Sequence, residues 1–296
     1  MGEQLSFFDE TEVTVQSSNG WLLIDGNNLM NRCYYATAHD PNNLMKAPDG
    51  RYTNAVSLFI KMMLKLNQSL GTAPIVMFDE GKSYRKEIYP AYKDGRKETP
   101  IELKEQFPLI KEVLGHAEIP VYSNAEFEAD DFIASFAEQA DGDIYILSND
   151  RDVFQLINER VTVIVRKGKE DVRMTPELFQ LEYAGLSPLQ IVDLKSITGD
   201  SVDNIPGIDG IGDKGAIKLI QHFGTIEKML VSEFPTHLNR YKEKVANSKE
   251  QTLFAKKLTT LHRDIPLNIK EVTINSKGLL SICNKLAIKN IDKLLY

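Results

Sequence analysis

Trp21-Leu22-Leu23-Ile24-Asp25-Gly26-Asn27 sets four apolar side chains in succession, stops on a carboxylate and turns on a Gly-Asn pair. A short apolar run closed by a turn signal reads as a buried strand. The signature recurs in Pro74-Ile75-Val76-Met77-Phe78-Asp79 and in Asp143-Ile144-Tyr145-Ile146-Leu147, which closes on Ser148-Asn149-Asp150. Shorter strands are predicted at 119–122 and 161–165. Between them, Thr53 to Leu70 carries Val56, Phe59, Ile60, Met63, Leu64 and Leu66 at helical spacing. Further helices are predicted near 101–115 and from Glu128 onward. Beyond about residue 175 the pattern is helical with Gly-rich breaks. Strands alternating with helices predict an α/β fold, a doubly wound and mostly parallel sheet followed by a helical C-terminal region.

The 296 residues are 42% hydrophobic and 26% charged, an ordinary globular composition with material for a real core. No apolar run approaches the roughly 18–20 residues of a membrane span. The start, MGEQLSFFDETEV, lacks the basic and apolar regions of a secretory signal. Two cysteines and five scattered histidines support neither a disulfide framework nor a zinc site. The expectation is a soluble cytoplasmic protein with no membrane partner.

Three predicted strands end in a carboxylate: Asp25, Asp79 and Asp150. In open α/β sheets ligands sit at the carboxyl ends of the strands. One such Asp is an ordinary turn starter, but three on one edge form a pattern. Glu128-Ala129-Asp130-Asp131 opens a helix, where acids also serve the helix dipole. Asp150-Arg151-Asp152 reads equally as a capped helix start. Asp200 and Asp203 stand three apart, expected on one face of a helical turn. If these nine acids converge, their repulsion demands cations, and an oxygen-only donor set selects hard ions such as Mg²⁺ or Mn²⁺. Two such ions roughly 4 Å apart activate a water for in-line phosphodiester displacement. The net charge of −7 then changes meaning, because without those nine, 33 of the 42 acids face 35 bases. The acidity is compatible with a nucleic-acid partner.

Residues 82–104 hold seven bases against four acids, with Tyr84, Tyr89 and Tyr92 interleaved. The segment fits a surface that tracks single-stranded nucleic acid, or a long solvated loop. Gly207-Ile208-Asp209-Gly210-Ile211-Gly212-Asp213-Lys214 precedes a predicted helix at 216–223, where glycines let backbone N–H groups approach a phosphate.

In order, these motifs resemble the 5′-nuclease, or flap endonuclease-like, family. That family includes the 5′→3′ exonuclease domain of bacterial DNA polymerase I and stand-alone bacterial or phage exonucleases. The resemblance covers about residues 21–265. It rests on Leu23-Ile24-Asp25-Gly26 with Arg32, Phe78-Asp79, Ser83-Tyr84-Arg85 with Tyr92-Lys93-Asp94-Gly95-Arg96, and Glu128-Ala129-Asp130-Asp131. Asp150-Arg151-Asp152 and Thr198-Gly199-Asp200-Ser201-Val202-Asp203-Asn204-Ile205-Pro206-Gly207 complete it.

The resemblance implies a PIN-like nuclease core over 19–198, with a helical arch near 80–104. It implies a helix-hairpin-helix DNA-binding region within 199–296 that uses Gly207, Gly210, Gly212 and Lys214 and holds K⁺ at backbone carbonyls. One Mg²⁺ or Mn²⁺ maps to Asp25, Asp79, Glu128 and Asp130, partly shared with Asp150. The second maps to Asp131 or Asp152 with Asp200 and Asp203. Lys93 and Arg96 map to the arch as catalytic cations, Arg32 to the scissile phosphate, and Arg85 to DNA. The family's stacking aromatic before the arginine is Asn31 here, which leaves Tyr34 or Tyr35 for that role.

In the polar tail, residues 1–18, Gln4-Leu5-Ser6-Phe7-Phe8 resembles the peptide by which bacterial replication proteins dock on a sliding clamp; the plain alternative is a disordered tail. The function expected is a divalent-metal-dependent 5′→3′ exonuclease and flap endonuclease in replication or repair, nucleoid-associated, acting on 5′ flaps, single-strand/duplex junctions and RNA primers. Its rivals are a weakly or non-catalytic branched-DNA binding protein associated with a sliding clamp and a PIN-type ribonuclease.

Overall fold

The computed structural model describes residues 20–40 and 43–295; Gln4, Leu5, Phe7 and Phe8 lie outside them. Its strands are β1 (Trp21–Asp25), β2 (Ala73–Met77), β3 (Val121–Tyr122), β4 (Ile144–Leu147), β5 (Val161–Lys167) and β6 (Glu170–Met174). They form one sheet in the order β3-β2-β1-β4-β5-β6. Strands β1 to β5 run parallel, and β6 turns back antiparallel on β5. The chain travels outward from β1 to β3, then returns to start again at β4. This reversal leaves a crevice at the carboxyl ends of β1 and β4.

Alternation along β1 divides the core. Leu22 and Ile24 face one side, with α1 (Gly26–Thr37), α2 (Asn54–Leu70) and buried residues of α5 (Gln106–His116). Leu23 faces the other side, with Ile75, Met77, Ile144 and Ile146, against α6 (Ala129–Gln139). Two short helices, α3 (Tyr84–Ile88) and α4 (Ile101–Lys104), flank a stretch of turns where the family resemblance implied a helical arch. The C-terminal part is helical, with α7 (Pro176–Glu182), α8 (Gln190–Thr198), α9 (Asp213–Phe223), α10 (Ile226–Val231), α11 (Asn239–Asn247), α12 (Lys249–Thr259) and α13 (Ser276–Lys285). Helix α13 returns to the first core, where Leu279 and Ile282 are buried. Among the described residues, no helix is long and apolar enough to cross a membrane.

Two elements escaped the sequence reading. Helix α1 follows β1 without a loop, because Asp25 serves as its N-cap and accepts a hydrogen bond from the Asn28 N–H at 3.0 Å. Strand β6 carries mostly exposed polar residues, so it lacks an apolar rhythm and is held by its ladder to β5. The helix expected over 101–115 is two, joined at Glu105.

Candidate active site

Since β2, β1 and β4 are adjacent and parallel, Asp25, Asp79 and Asp150 emerge side by side at one sheet edge. Two adjoining clefts of about 770 and 740 Å³ open there and share Asn28, Asp150, Ser201 and Val202. The first gathers Asp25, Asp79, Glu128 and Asp130. The second is lined by Asp200 and Asp203, and Asp150 stands in the wall of both.

Two acids of the first cleft are fixed by local donors. Asp25 accepts from the Ser148 hydroxyl at 2.9 Å, and Asp79 accepts from the Ala129 N–H at 2.7 Å. Burial, then the Asp79 charge, push the Asp25 carboxyl up to about 7. Burial raises Asp79, and burial together with the Asp131 charge raises Asp130 well above its ordinary value. Burial works upward on Glu128 too, yet Lys93 and Arg85 outweigh it and hold that carboxyl below its usual range. The Asp130 Oδ1 is buried with no hydrogen-bond partner. A buried oxygen without a donor is rare, and within an all-oxygen cluster it fits a ligand of a hard divalent cation.

At the wall of the second cleft, one carboxylate oxygen each from Asp152, Asp200 and Asp203 lie within 4.8 Å of one another. Sequence reasoning missed the group between them. The Lys195 ammonium, carried on α8, pairs with Asp152, lies 2.7 Å from Asp200 and reaches Asp150 at 4.0 Å. Burial alone lowers the pKa of Lys195, but these three acids outweigh it and raise it. Burial pushes Asp152 up to about 7, while Lys195 more than offsets the burial of Asp200 and holds it low. The signal in the sequence was one lysine among the apolar Ile191, Val192, Leu194 and Ile197, five residues before Asp200.

Asp200 and Asp203 do not share a helical turn as expected. Asp200 and Ile205 exchange backbone hydrogen bonds at 2.8 Å, closing a tight loop. Inside it the Asp200 Oδ1 accepts from the N–H groups of Val202 and Asp203 at 2.8 and 3.3 Å. Such side-chain bonding turns a chain without helix. Two glycines hold the loop against α8. Gly199 has φ +77°, and a Cβ on Gly207 would stand 2.2 Å from the Thr198 carbonyl carbon.

The basic segment folds down over both acid groups. The buried Tyr92 places its hydroxyl 2.9 Å from Glu128 and 3.0 Å from Asp203. Lys93 pairs with Glu128 and Arg96 with Asp203, and the Lys93 N–H donates to the Asp203 carbonyl at 2.9 Å.

Four expected contacts are replaced by structural ones. Arg85, 1% exposed, does not face a nucleic acid; its guanidinium forks onto Asp131 at 2.6 and 2.8 Å and reaches Glu128 at 3.1 Å. Asp131 is fully buried and also accepts from the N–H groups of His262 and Glu128, so its oxygens are spent on protein and it is not a metal ligand here. Tyr34 is buried in the core, which leaves Tyr35, 62% exposed, as the aromatic open to a base. Arg32 lines neither cleft and pairs with Asp171 of β6 at 2.8 Å. Gly212 caps α9, Gly210 has φ +69°, and Lys214 is exposed in the first turn.

The family model described as 5′-3′ exonuclease, N-terminal resolvase-like domain matches residues 20–184, and that described as 5′-3′ exonuclease, C-terminal SAM fold matches 186–280. The chain is 42% identical over 264 residues to DNA polymerase I of Bacillus caldotenax, covering 87% of this chain and 29% of that one. It is 39% identical to DNA polymerase I of Bacillus subtilis over the same length, with the same coverage of each. The chain thus spans under a third of the length of these curated relatives. Among solved structures it resembles the T5 D15 protein co-crystallized with metal ions, with TM-score 0.66, 22% identity, and 93% and 97% of the two chains covered. It also resembles the catalytic core of Rad2 in complex with DNA substrate, with TM-score 0.61, 15% identity, and 93% and 90% covered. Those two likenesses are of fold. The two family matches meet between α7 and α8 and together run from residue 20 to residue 280, so the chain belongs to the 5′-3′ exonuclease family.

Proposed function

We propose that this chain is a divalent-metal-dependent, structure-specific 5′-nuclease that hydrolyses DNA phosphodiesters at single-strand/duplex junctions, 5′ flaps included, in replication or repair. The observation that carries this reading is the convergence of acids from three strand ends and a glycine-held loop on two joined clefts. In it, Asp25, Asp79, Glu128 and Asp130 hold one ion, Asp152, Asp200 and Asp203 hold a second, and Asp150 lies between them. Bound there, Mg²⁺ or Mn²⁺ supplies an acidified water and neutralises charge on the phosphate and leaving oxygens.

The remaining work falls to this chain's own side chains. The carboxylates act as ligands and not as proton carriers. Lys93 and Arg96, at the mouth of the first cleft, turn from their acids to the phosphate oxygens and offset the charge that grows on them. Arg32 takes the same role once it leaves Asp171. Tyr35 offers a stacking face, and Gly207, Gly210, Gly212 and Lys214 approach the duplex at the start of α9. K⁺ at the hairpin carbonyls belongs to the proposal, as do RNA primers among the substrates and a nucleoid location. So do the division into a core at 19–198 and a DNA-binding region at 199–296, and a sliding clamp held by Gln4, Leu5, Phe7 and Phe8. Loss of clamp binding in a Phe7→Ala/Phe8→Ala variant tests the last.

The deciding experiment incubates wild type and Asp200→Asn with a 5′-labelled flap duplex, in Mg²⁺ and in EDTA. Metal-dependent cleavage near the junction that fails in the variant is the expected result. Tight binding without any product from wild type replaces this reading with a non-catalytic junction binder.

A further inference from the structure

Two arginines reach one carboxylate beside the acid clefts. Asp171 of β6 accepts from the Arg32 guanidinium at 2.8 Å, and the Arg166 guanidinium lies 3.3 Å from the same oxygen. The register Arg166↔Asp171 and Ile164↔Arg173 sets these strand side chains on the face of the sheet that carries α1. There Arg173 adds a third guanidinium, 5.7 Å over the Tyr145 ring. Asp171 balances one of these positive charges, and it is exposed to solvent.

Both arginines are tied to residues that wall the clefts. Arg32 stands four positions after Asn28 on α1, about 6 Å along the same helix face. The Arg166 N–H donates to the Asn149 Oδ1 at 2.7 Å, and the Asn149 N–H donates to the Asn28 Oδ1 at 3.2 Å. Asn28 lines both clefts and Asn149 the second. A phosphate held by the two guanidinium groups therefore lies within about two nucleotides of one in the clefts.

A brace between α1 and the β5–β6 hairpin accounts for Arg32 but not for Arg166, whose strand the ladder already joins to Asp171. Guanidinium groups suit phosphate oxygens, and exposed ion pairs are weak enough to exchange partners. A phosphodiester carries one negative charge, as Asp171 already does. A terminal phosphate monoester carries about 1.5–2, which matches both arginines. We propose that Arg32 and Arg166 form a pocket for the 5′-terminal phosphate of a recessed DNA strand, with Asp171 occupying it until that strand arrives. On such an end Arg32 serves the terminal phosphate rather than the scissile one. The inference rests on the nuclease reading and adds how an end without a flap is recognised.

The test compares two gapped duplexes that differ only in a 5′-phosphate or a 5′-hydroxyl at the recessed end, bound in EDTA and read by fluorescence anisotropy. Wild type is expected to prefer the phosphate about tenfold, the size of one charge-assisted hydrogen bond. Arg166→Met brings that preference down to about one, whereas Arg166→Lys keeps part of it. Asp171→Asn binds the phosphorylated end more tightly than wild type does; an unchanged affinity contradicts its place in the pocket. Each preference is a ratio within one protein, so a loss of folded molecules does not move it. Equal affinities for the two ends in wild type, or the wild-type ratio retained in Arg166→Met, overturn the pocket even where wild type cleaves flaps in Mg²⁺. A wild type that distinguishes the ends yet cleaves neither these duplexes nor a flap in Mg²⁺ overturns the nuclease reading and leaves the pocket standing.

Discussion

The Lys195 ammonium lies 2.7 Å from the Asp200 carboxylate and also pairs with Asp152, so an internal cation holds the second acid group together. Lys195→Met leaves two largely buried acids facing each other. Breaking such a pair costs about 3–5 kcal/mol, which lowers the melting temperature of the metal-free protein by roughly 6–12 °C. Mg²⁺ then stabilises the variant more than wild type, because it no longer displaces an ammonium. Thermal melts in EDTA and in Mg²⁺ read both effects; identical melts contradict the pairing.

Asp25 and Asp152 titrate near 7 in the fold against 3.8 in the free side chain. The folded state therefore holds extra protons between those values. Their contribution to stability is full below pH 4 and is lost as pH rises through about 7. Melting of EDTA-treated protein is expected to fall from pH 6 to pH 8. Divalent-ion affinity moves the opposite way, rising about tenfold per pH unit for each displaced proton and levelling above 7. Calorimetry in buffers of different ionisation enthalpy counts the protons released, and zero release sinks this account.

Asp130→Asn and Asp203→Asn each remove one of the proposed ion ligands, from different clefts. Each is expected to lower kcat on a flap substrate by about a hundredfold or more. Binding in EDTA is expected to hold or improve, since a negative charge beside the phosphate is gone. Single-turnover kinetics beside anisotropy separates the two effects. A variant that binds poorly yet cleaves at the wild-type rate contradicts the assignment.

Arg85→Leu tests the buried fork onto Asp131. The single variant is expected to lose about 3–5 kcal/mol of stability by stranding a buried charge, and Arg85→Leu/Asp131→Leu recovers most of it. Chemical denaturation gives both values. Were Arg85 a DNA contact, the single variant would melt normally and bind weakly.

Tyr34 and Tyr35 are neighbours in sequence with opposite exposures. Tyr35→Ala is expected to cost about 1–3 kcal/mol of single-strand affinity through lost stacking. Tyr34→Ala is expected to reduce stability instead. Anisotropy with a single-stranded oligonucleotide, paired with thermal melts, distinguishes them.

The strand ends were legible because each acid closes an apolar run, a local signal in Leu22–Asp25, Ile75–Asp79 and Ile144–Asp150. The sheet order then brought them together. Helix α1 was hidden by its polar opening Gly26-Asn27-Asn28, and β6 by exposure of most of its side chains. The Arg85–Asp131 fork joins residues 46 apart and the Arg32–Asp171 pair residues 139 apart. A charge's partner at such separations is set by the fold, so motif position alone sent Arg85 and Asp131 to DNA and metal. Lys195 was missed for the same reason, since its acids lie before and after it in the chain.

Asp152 belongs to the turn after β4, whereas Asp200 and Asp203 hang from the loop that follows α8. Neither part of the chain carries the full set. A molecule whose helical region has not yet docked during synthesis, or has been cut away by a protease, holds too few acids to assemble the second cleft. On the two-ion reading proposed above, such partial products lack the second ion's ligands and are expected not to cut a flap duplex.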